Sequence, residues 1–161
     1  MVFDPSKYKK KNLKRYETYI ESLKENKIDT KSIENTISEA VTNIKNKKAK
    51  SFVIYGEPQS GKTSMMIGLT AKMLDEGYKL VILLIQDNLN LLEQNSLRFQ
   101  RSTLKPSPKM YQEVIPPDVK LEGREFVVIC KKNSSNLKRL IDKVENIKNK
   151  VIIDDEAYFA S

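Results

Sequence analysis

The segment Gly56-Glu57-Pro58-Gln59-Ser60-Gly61-Lys62-Thr63 constrains this chain more than any other. It fits the pattern G-x-x-x-x-G-K-[ST] without a mismatch. Average residue frequencies put a chance match in a chain this long on the order of one per cent. Each fixed position has a chemical reason. Glycines let the backbone fold tightly, so that successive N–H groups converge on phosphate oxygens. A helix opening at the end of the loop turns its positive pole to the same anion. Lys62 then reaches the β- and γ-phosphates, and the Thr63 hydroxyl is placed to ligate magnesium. The residues Gly56, Glu57, Pro58, Gln59, Ser60, Gly61, Lys62, Thr63 and Ser64 are therefore expected to bind ATP with Mg2+. The plainer alternative, a surface turn with an exposed lysine, leaves the flanking pattern unexplained.

That pattern is strand, loop, helix. Ser51–Tyr55 is an almost wholly apolar run, as expected of a parallel strand covered on both faces. A helix follows over about Lys62–Glu76, with Met65, Met66, Leu69 and Met73 on one face and Gly77 as its stop. Further along, strands are expected at Lys79–Ile85, Glu125–Cys130 and Val151–Ile153. Helices are expected at Asn88–Arg101 and Ser134–Lys148, the latter with Leu137, Leu140, Ile141, Val144 and Ile147 facing inward. Residues 102–124 hold four prolines and no periodicity, which reads mainly as loop. Ahead of the phosphate loop, apolar spacing predicts helices over residues 6–26 and Thr30–Asn46, the second with Asp29, Thr30 or Ser32 as N-cap. Strand and helix alternate after this helical preface, so the fold class is α/β with a parallel sheet and right-handed crossovers.

The last strand runs into Asp154-Asp155-Glu156. Parallel topology brings strand ends to one edge of the sheet, where ligands bind. Carboxylates there can hold magnesium and orient a water for attack on phosphate. The residues alone leave two assignments open: Asp154 as metal ligand with Asp155 as base, or Asp155 with Glu156. A solvated acidic turn is the simpler account of three adjacent acids, and the phosphate loop outweighs it.

Composition removes other chemistries. The chain has no histidine and one cysteine, Cys130, which excludes histidine catalysis, an intrachain disulfide and a cysteine-based metal site. Its apolar runs are far shorter than a membrane span, and no signal-peptide pattern opens the sequence. A cytoplasmic setting with no membrane contact is the expectation. The net charge of +8 is concentrated in residues 1–50, which hold 13 Lys+Arg against 7 Asp+Glu. Such asymmetry suits an anionic polymer, or equally a solvated helical face, and cations near a helix C-terminus, as at Lys45–Lys50, have a structural reason of their own.

The stretch Asp155-Glu156-Ala157 after an apolar strand resembles the DEAD-like box of superfamily 2 helicases. Gly56–Thr63, Gly77-Tyr78-Lys79, Asn88…Leu92…Gln94, Val127–Asn133, and Ile152–Ala157 with Ala160-Ser161 occur in an order similar to the ATPase domain of an endonuclease family linked to bacterial restriction and defence ATPases. The resemblance covers about residues 50–161. It implies a RecA-like P-loop NTPase lobe, a three-layer sandwich, with residues 1–49 as a separate basic helical segment. It also implies nucleic-acid-stimulated ATP hydrolysis, with DNA as partner. Asp155 would coordinate magnesium, and Glu156 and Lys62 would be the catalytic residues, Glu156 activating water. By analogy the helix carrying Asn88 and Gln94 lies where such motors touch the nucleic-acid backbone. An ordinary amphipathic helix explains those residues at least as well.

Two departures limit what carries over. The fourth box position, usually Asp or His, is Tyr158, which puts coupling to a second lobe in question. The sequence also ends soon after the box, so the expectation is the first lobe of a longer protein. A second RecA-like lobe with an arginine finger, and a nuclease domain, would lie elsewhere, and the lobe alone would bind nucleotide and hydrolyse it poorly. A DNA-packaging motor fragment and a non-catalytic nucleotide-binding interaction module are the competing readings. Phosphotransferases and GTPases fit worse: there is no arginine-rich lid, and no N-K-x-D motif follows the acids. Tyr8, Tyr16 and Tyr55 are candidates to stack on adenine, although packing is the commoner role for a tyrosine.

Overall fold

The computed structural model describes residues 14–46, 51–55, 61–86 and 88–156. Four strands, β1 (Leu80–Ile85), β2 (Lys109–Met110), β3 (Phe126–Lys131) and β4 (Lys150–Asp154), pair in parallel in the order β2-β3-β1-β4. The apolar runs pair along their length: Leu80 lies beside Phe126 and Lys150, and Leu84 beside Cys130 and Asp154. The carboxyl ends of β1, β3 and β4 therefore finish together at one edge.

Strand alternation divides the core into two layers. Val81, Leu83, Ile85, Val127 and Ile129 point to one face, and Leu80, Ile82, Val128 and Cys130 to the other. Both faces are covered, which is why the strands read as unbroken apolar runs. Helix α3 (Lys62–Asp75) lies on the first face with α4 (Leu89–Arg101), whose Phe99 is fully buried. Helix α5 (Ser134–Val144) covers the second with Leu140 and Val144. The result is a three-layer α/β lobe.

The helical preface packs on α3. Helices α1 (Arg15–Glu25) and α2 (Lys31–Lys45) bury Tyr19, Ile20, Leu23, Ile33, Ile37, Ala40 and Val41. Gly68 makes that approach possible: a Cβ there would lie 2.8 Å from Ile37 Cδ1. Consequently α3 is buried on nearly every side, not on one stripe, with Ile67, Thr70, Ala71 and Leu74 enclosed beside Met66, Leu69 and Met73. It ends as its sequence predicts. Gly77 turns left-handed at φ 93°, and the N–H groups of Gly77 and Tyr78 return to the carbonyls of Leu74 and Met73.

Four expectations need correction. Ser51–Tyr55 is not a strand of this sheet. Val53 and Tyr55 are 81% and 88% exposed, and only Ile54 of the run packs against the core. An apolar run becomes a strand only where a neighbour supplies ladder hydrogen bonds, and the pattern alone cannot name that neighbour. Second, the stretch 102–124 contributes β2 and a 3-10 turn at Tyr111–Glu113, and buries Tyr111, Val114 and Leu121 under the second face. Third, α5 stops at Val144, because the Lys150 ammonium donates to the carbonyls of Val144, Glu145 and Ile147 at 2.9–3.0 Å and so terminates the helix. Fourth, Ile141 is 58% exposed and does not face inward. The predicted helix start before residue 14, and Lys47, Lys48 and Lys50, lie outside the described residues.

Candidate nucleotide site

The first half of the phosphate loop, Gly56–Ser60, lies outside the described residues; its second half is in place. Gly61 caps α3 with φ 79° and ψ 24°, a left-handed conformation that costs glycine least. The turn delivers Lys62 and Thr63 to the first positions of α3, where helical N–H groups lack intrahelical acceptors and the dipole favours an anion. Ser64, on the same turn, lies near the phenol of Tyr19 of α1, which burial holds above its ordinary pKa.

The Thr63 hydroxyl is already engaged. It donates to Asn95 Oδ1 at 3.2 Å and accepts from Arg98 Nη1 at 3.0 Å. Asn95 is buried and Arg98 exposed. A cleft of about 290 Å³ opens beside this group, lined by Asn26, Thr63, Ser64, Arg98 and Arg101 among others. Sequence reasoning passed over Asn95, Arg98 and Arg101. Their spacing of three on an amphipathic helix was the available signal, but it cannot say which helix they face. Of the residues singled out on α4, Asn88 accepts from the Asn90 N–H through Oδ1 at 3.0 Å, a local turn contact, and Gln94 is exposed.

The acidic turn stands at the end of β4. The Asp155 N–H donates to Leu84 O at 2.9 Å, extending the β1–β4 ladder by one residue. Burial pushes the Asp155 carboxyl above its ordinary pKa, and the charges of Glu156 and Asp154 push the same way, while those of Lys132 and Lys62 oppose them. The charge of Lys62 thus reaches Asp155, which stands at the carboxyl edge of the sheet. Asp154 is occupied otherwise, its Oδ1 lying 2.7 Å from the Lys132 ammonium. Glu156 adopts φ 56°, a left-handed backbone uncommon for a residue with a side chain.

The donors present fit magnesium carried by a nucleotide better than a metal held by protein alone. Magnesium takes one or two carboxylate or hydroxyl ligands and completes its shell with phosphate and water oxygens. Thr63 and Asp155 would supply that number, and among the described residues no group of three or more acids or cysteines could hold a metal ion. The aromatic candidates divide. Tyr16 packs under Lys72, whose ammonium lies 5.3 Å from the ring centre, and its backbone N–H donates to Asp75. Tyr55 is exposed beside the loop, and Tyr8 lies outside the described residues.

A parallel sheet with helices on both faces, a glycine-turned helix N-terminus carrying Lys-Thr, and acids on a neighbouring strand end define a RecA-like ATPase lobe. The family described as Type III restriction enzyme, res subunit, matches residues 5–159, and the chain belongs to that family. It corresponds to the ATPase/helicase lobe of restriction-enzyme res subunits. No curated protein and no solved structure matches the chain. Among the described residues, no helix is long and apolar enough to cross a membrane.

Proposed function

We propose that this chain is the ATP-binding lobe of a DNA-dependent ATPase of the restriction type, with hydrolysis completed by a second RecA-like lobe. The observation that supports the reading is the placement of the acidic turn, where the Asp155 N–H bonds Leu84 O at the carboxyl edge of the sheet and the Asp155 carboxyl lies within reach of the charge of Lys62 at the head of α3. Gly56–Gly61 and the first N–H groups of α3 cradle the phosphates, and Ser64 belongs to the same turn. Lys62 pairs with the β- and γ-phosphates. Thr63 and Asp155 hold magnesium, which when bound neutralises charge on those phosphates. Glu156 orients the attacking water and accepts its proton. The engagement of Asp154 with Lys132 favours Asp155, of the two acids, as the metal ligand. DNA is the partner expected of a restriction subunit, and the exposed residues of α4, Gln94 among them, are its proposed contacts.

Calorimetry with Mg-ATP tests this. The wild type should bind with a Kd in roughly the micromolar-to-millimolar range. Lys62→Ala should weaken binding about 10- to 100-fold, because it removes a charge-assisted hydrogen bond to phosphate. Glu156→Gln should keep nucleotide affinity and lose whatever turnover DNA stimulates. Equal binding by wild type and Lys62→Ala would sink the reading.

A further inference from the structure

The Lys132 ammonium bonds all three residues of the acidic turn. Its Nζ donates to Asp154 Oδ1 at 2.7 Å, to the Asp155 carbonyl at 2.5 Å and to the Glu156 carbonyl at 3.0 Å. An ammonium has three N–H donors, and these three acceptors use them all. The side chain is only 10% exposed, so this is not a loosely solvated surface pair. Its backbone is equally fixed: the Lys132 N–H donates to Ile85 O at 2.9 Å, and the next residue, Asn133, caps α5 by accepting from the Asn136 N–H. The amine is therefore held between β1, β3 and α5, and reaches across to the residues that follow β4.

Two features of the turn need such a support. Glu156 holds a left-handed backbone, φ 56°, which a residue with a side chain keeps only when its surroundings enforce it. Three consecutive carboxylates also stand side by side on the turn, where like charges repel. One ammonium answers both: it bonds the carbonyls on either side of the strained residue's N–Cα–C unit and neutralises the carboxylate that is not needed.

We propose that Lys132 is a positioning residue for the acidic turn. It locks the backbone that aims the Asp155 and Glu156 carboxylates, and by pairing with Asp154 keeps that carboxylate off the metal. This rests on the magnesium–nucleotide reading above and adds a residue to it. Lys132 touches neither phosphate nor metal in this role, so its removal should show in how much magnesium improves nucleotide binding, not in nucleotide binding itself.

The experiment measures ATP affinity by calorimetry in magnesium and again in EDTA, for the wild type, Lys132→Met and Lys132→Arg. For Lys132→Met the affinity in EDTA should stay within about twofold, while the gain from magnesium falls about tenfold, as for other residues that orient metal ligands. Lys132→Arg, which keeps the charge and the donors, should recover most of that gain. An unchanged magnesium gain in a folded Lys132→Met protein would overturn the proposal, and so would an equal loss in magnesium and EDTA. If Lys132→Met fails to fold by circular dichroism, Asp154→Asn decides, because it leaves both carbonyl contacts in place. Its magnesium gain should fall about fivefold at most, the range of a single ion pair, whereas complete loss would make Asp154 the ligand and overturn the proposal. A wild type whose ATP affinity ignores magnesium fails at the first titration, and removes the parent reading together with the lysine's role.

Discussion

The two ends of the sheet use charge in opposite ways. At the amino end of the strands, charges satisfy one another across elements. Arg15 of α1 pairs with Glu125 ahead of β3 at 2.5 Å and lies 3.6 Å from Asp75 at the end of α3, while Lys79 meets Glu125 at 3.4 Å. Nearby, Lys45 and Lys72 share Glu76, whereas a further preface pair, Lys24 with Glu34, stands at the other end of α1, toward Gly61. Left-handed backbone occurs at the amino end too, at Gly77 where α3 stops and at Gly123 just ahead of β3. At the carboxyl end, Gly61 and Glu156 are left-handed, like charges sit side by side, and the Thr63 hydroxyl is held between an amide and a guanidinium. The first arrangement is closed upon itself and fastens the helical preface to the lobe. The second gathers like charges and left-handed backbone in one place, the kind of local conflict that accumulates at functional sites. Part of the basic preface has a structural account: of its 13 Lys+Arg, Arg15, Lys24 and Lys45 bind acids of this chain, and those three are no evidence for an anionic polymer.

If the ends are specialised in this way, mutations should separate stability from ligand binding. The largest effect is expected from Asp75→Ala. Its carboxylate is 7% exposed, faces Arg15, and accepts the Tyr16 N–H at 3.0 Å. Losing a charged acceptor costs about 2 kcal/mol, which lowers Tm by about 4–8 °C in a domain of this size. Differential scanning fluorimetry should show that drop, and calorimetry should show no change in Mg-ATP affinity for the protein that remains folded. A parallel loss of affinity would dissolve the distinction between the ends.

Arg98→Ala should do the reverse, with a smaller magnitude. The guanidinium takes a lone pair of the Thr63 oxygen and adds positive charge where magnesium would bind. Removing one such hydrogen bond, worth about 0.5–1.5 kcal/mol, should tighten magnesium-dependent ATP binding by a few fold and leave Tm nearly unchanged. Weaker binding would instead make Arg98 a contact to the phosphates, and the comparison would then need a cation that serves the ligand directly.

The smallest effect concerns acid. The Glu34 carboxyl is held below its ordinary value of 4.5 chiefly by hydrogen bonds from Lys24 and Thr30, and Glu76 chiefly by one from Lys45. A carboxylate whose pKa is depressed in the folded state contributes stability that is present above its unfolded value and lost as pH falls through the folded one. Urea titrations should therefore show stability declining from about pH 4.5 downward. The pairs are largely solvent-exposed, so salt should shrink the dependence. Glu34→Gln together with Glu76→Gln should flatten it, and a slope that survives both changes would place the titration elsewhere. Cys130 gives no competing signal in this window, because burial pushes its thiol up to about 11.

Much of the fold could be read along the chain, and the reasons are local. Apolar runs of strand length gave β1, β3 and β4 to within a residue or two, because strands buried on both faces have few polar positions to blur them. Apolar spacing and capping signals gave the five α-helices found among the described residues, and Gly61 and Gly77 mark both ends of α3 because their backbone freedom allows those turns. The phosphate loop and the acids were legible for the same reason: their chemistry requires particular residue types at fixed separations. Ser51–Tyr55 and β2 failed the same test in opposite directions. One had the right composition and no partner; the other had no pattern and found β3.

The sequence by itself determined the order of the helices and of β1, β3 and β4, the parallel α/β class, the residue types at the site and the family resemblance, which depend mainly on neighbours within a few positions. Tertiary structure alone decided which side chains from distant elements share a space. Asn95 and Arg98 meet Thr63 across about three dozen residues, and Lys132 meets the acidic turn across two dozen. Helical spacing gives a residue's face but not what that face meets, and a strand's pattern gives its burial but not its neighbour. Those pairings are fixed only when the layers pack, because packing chooses among contacts that local preference leaves equal.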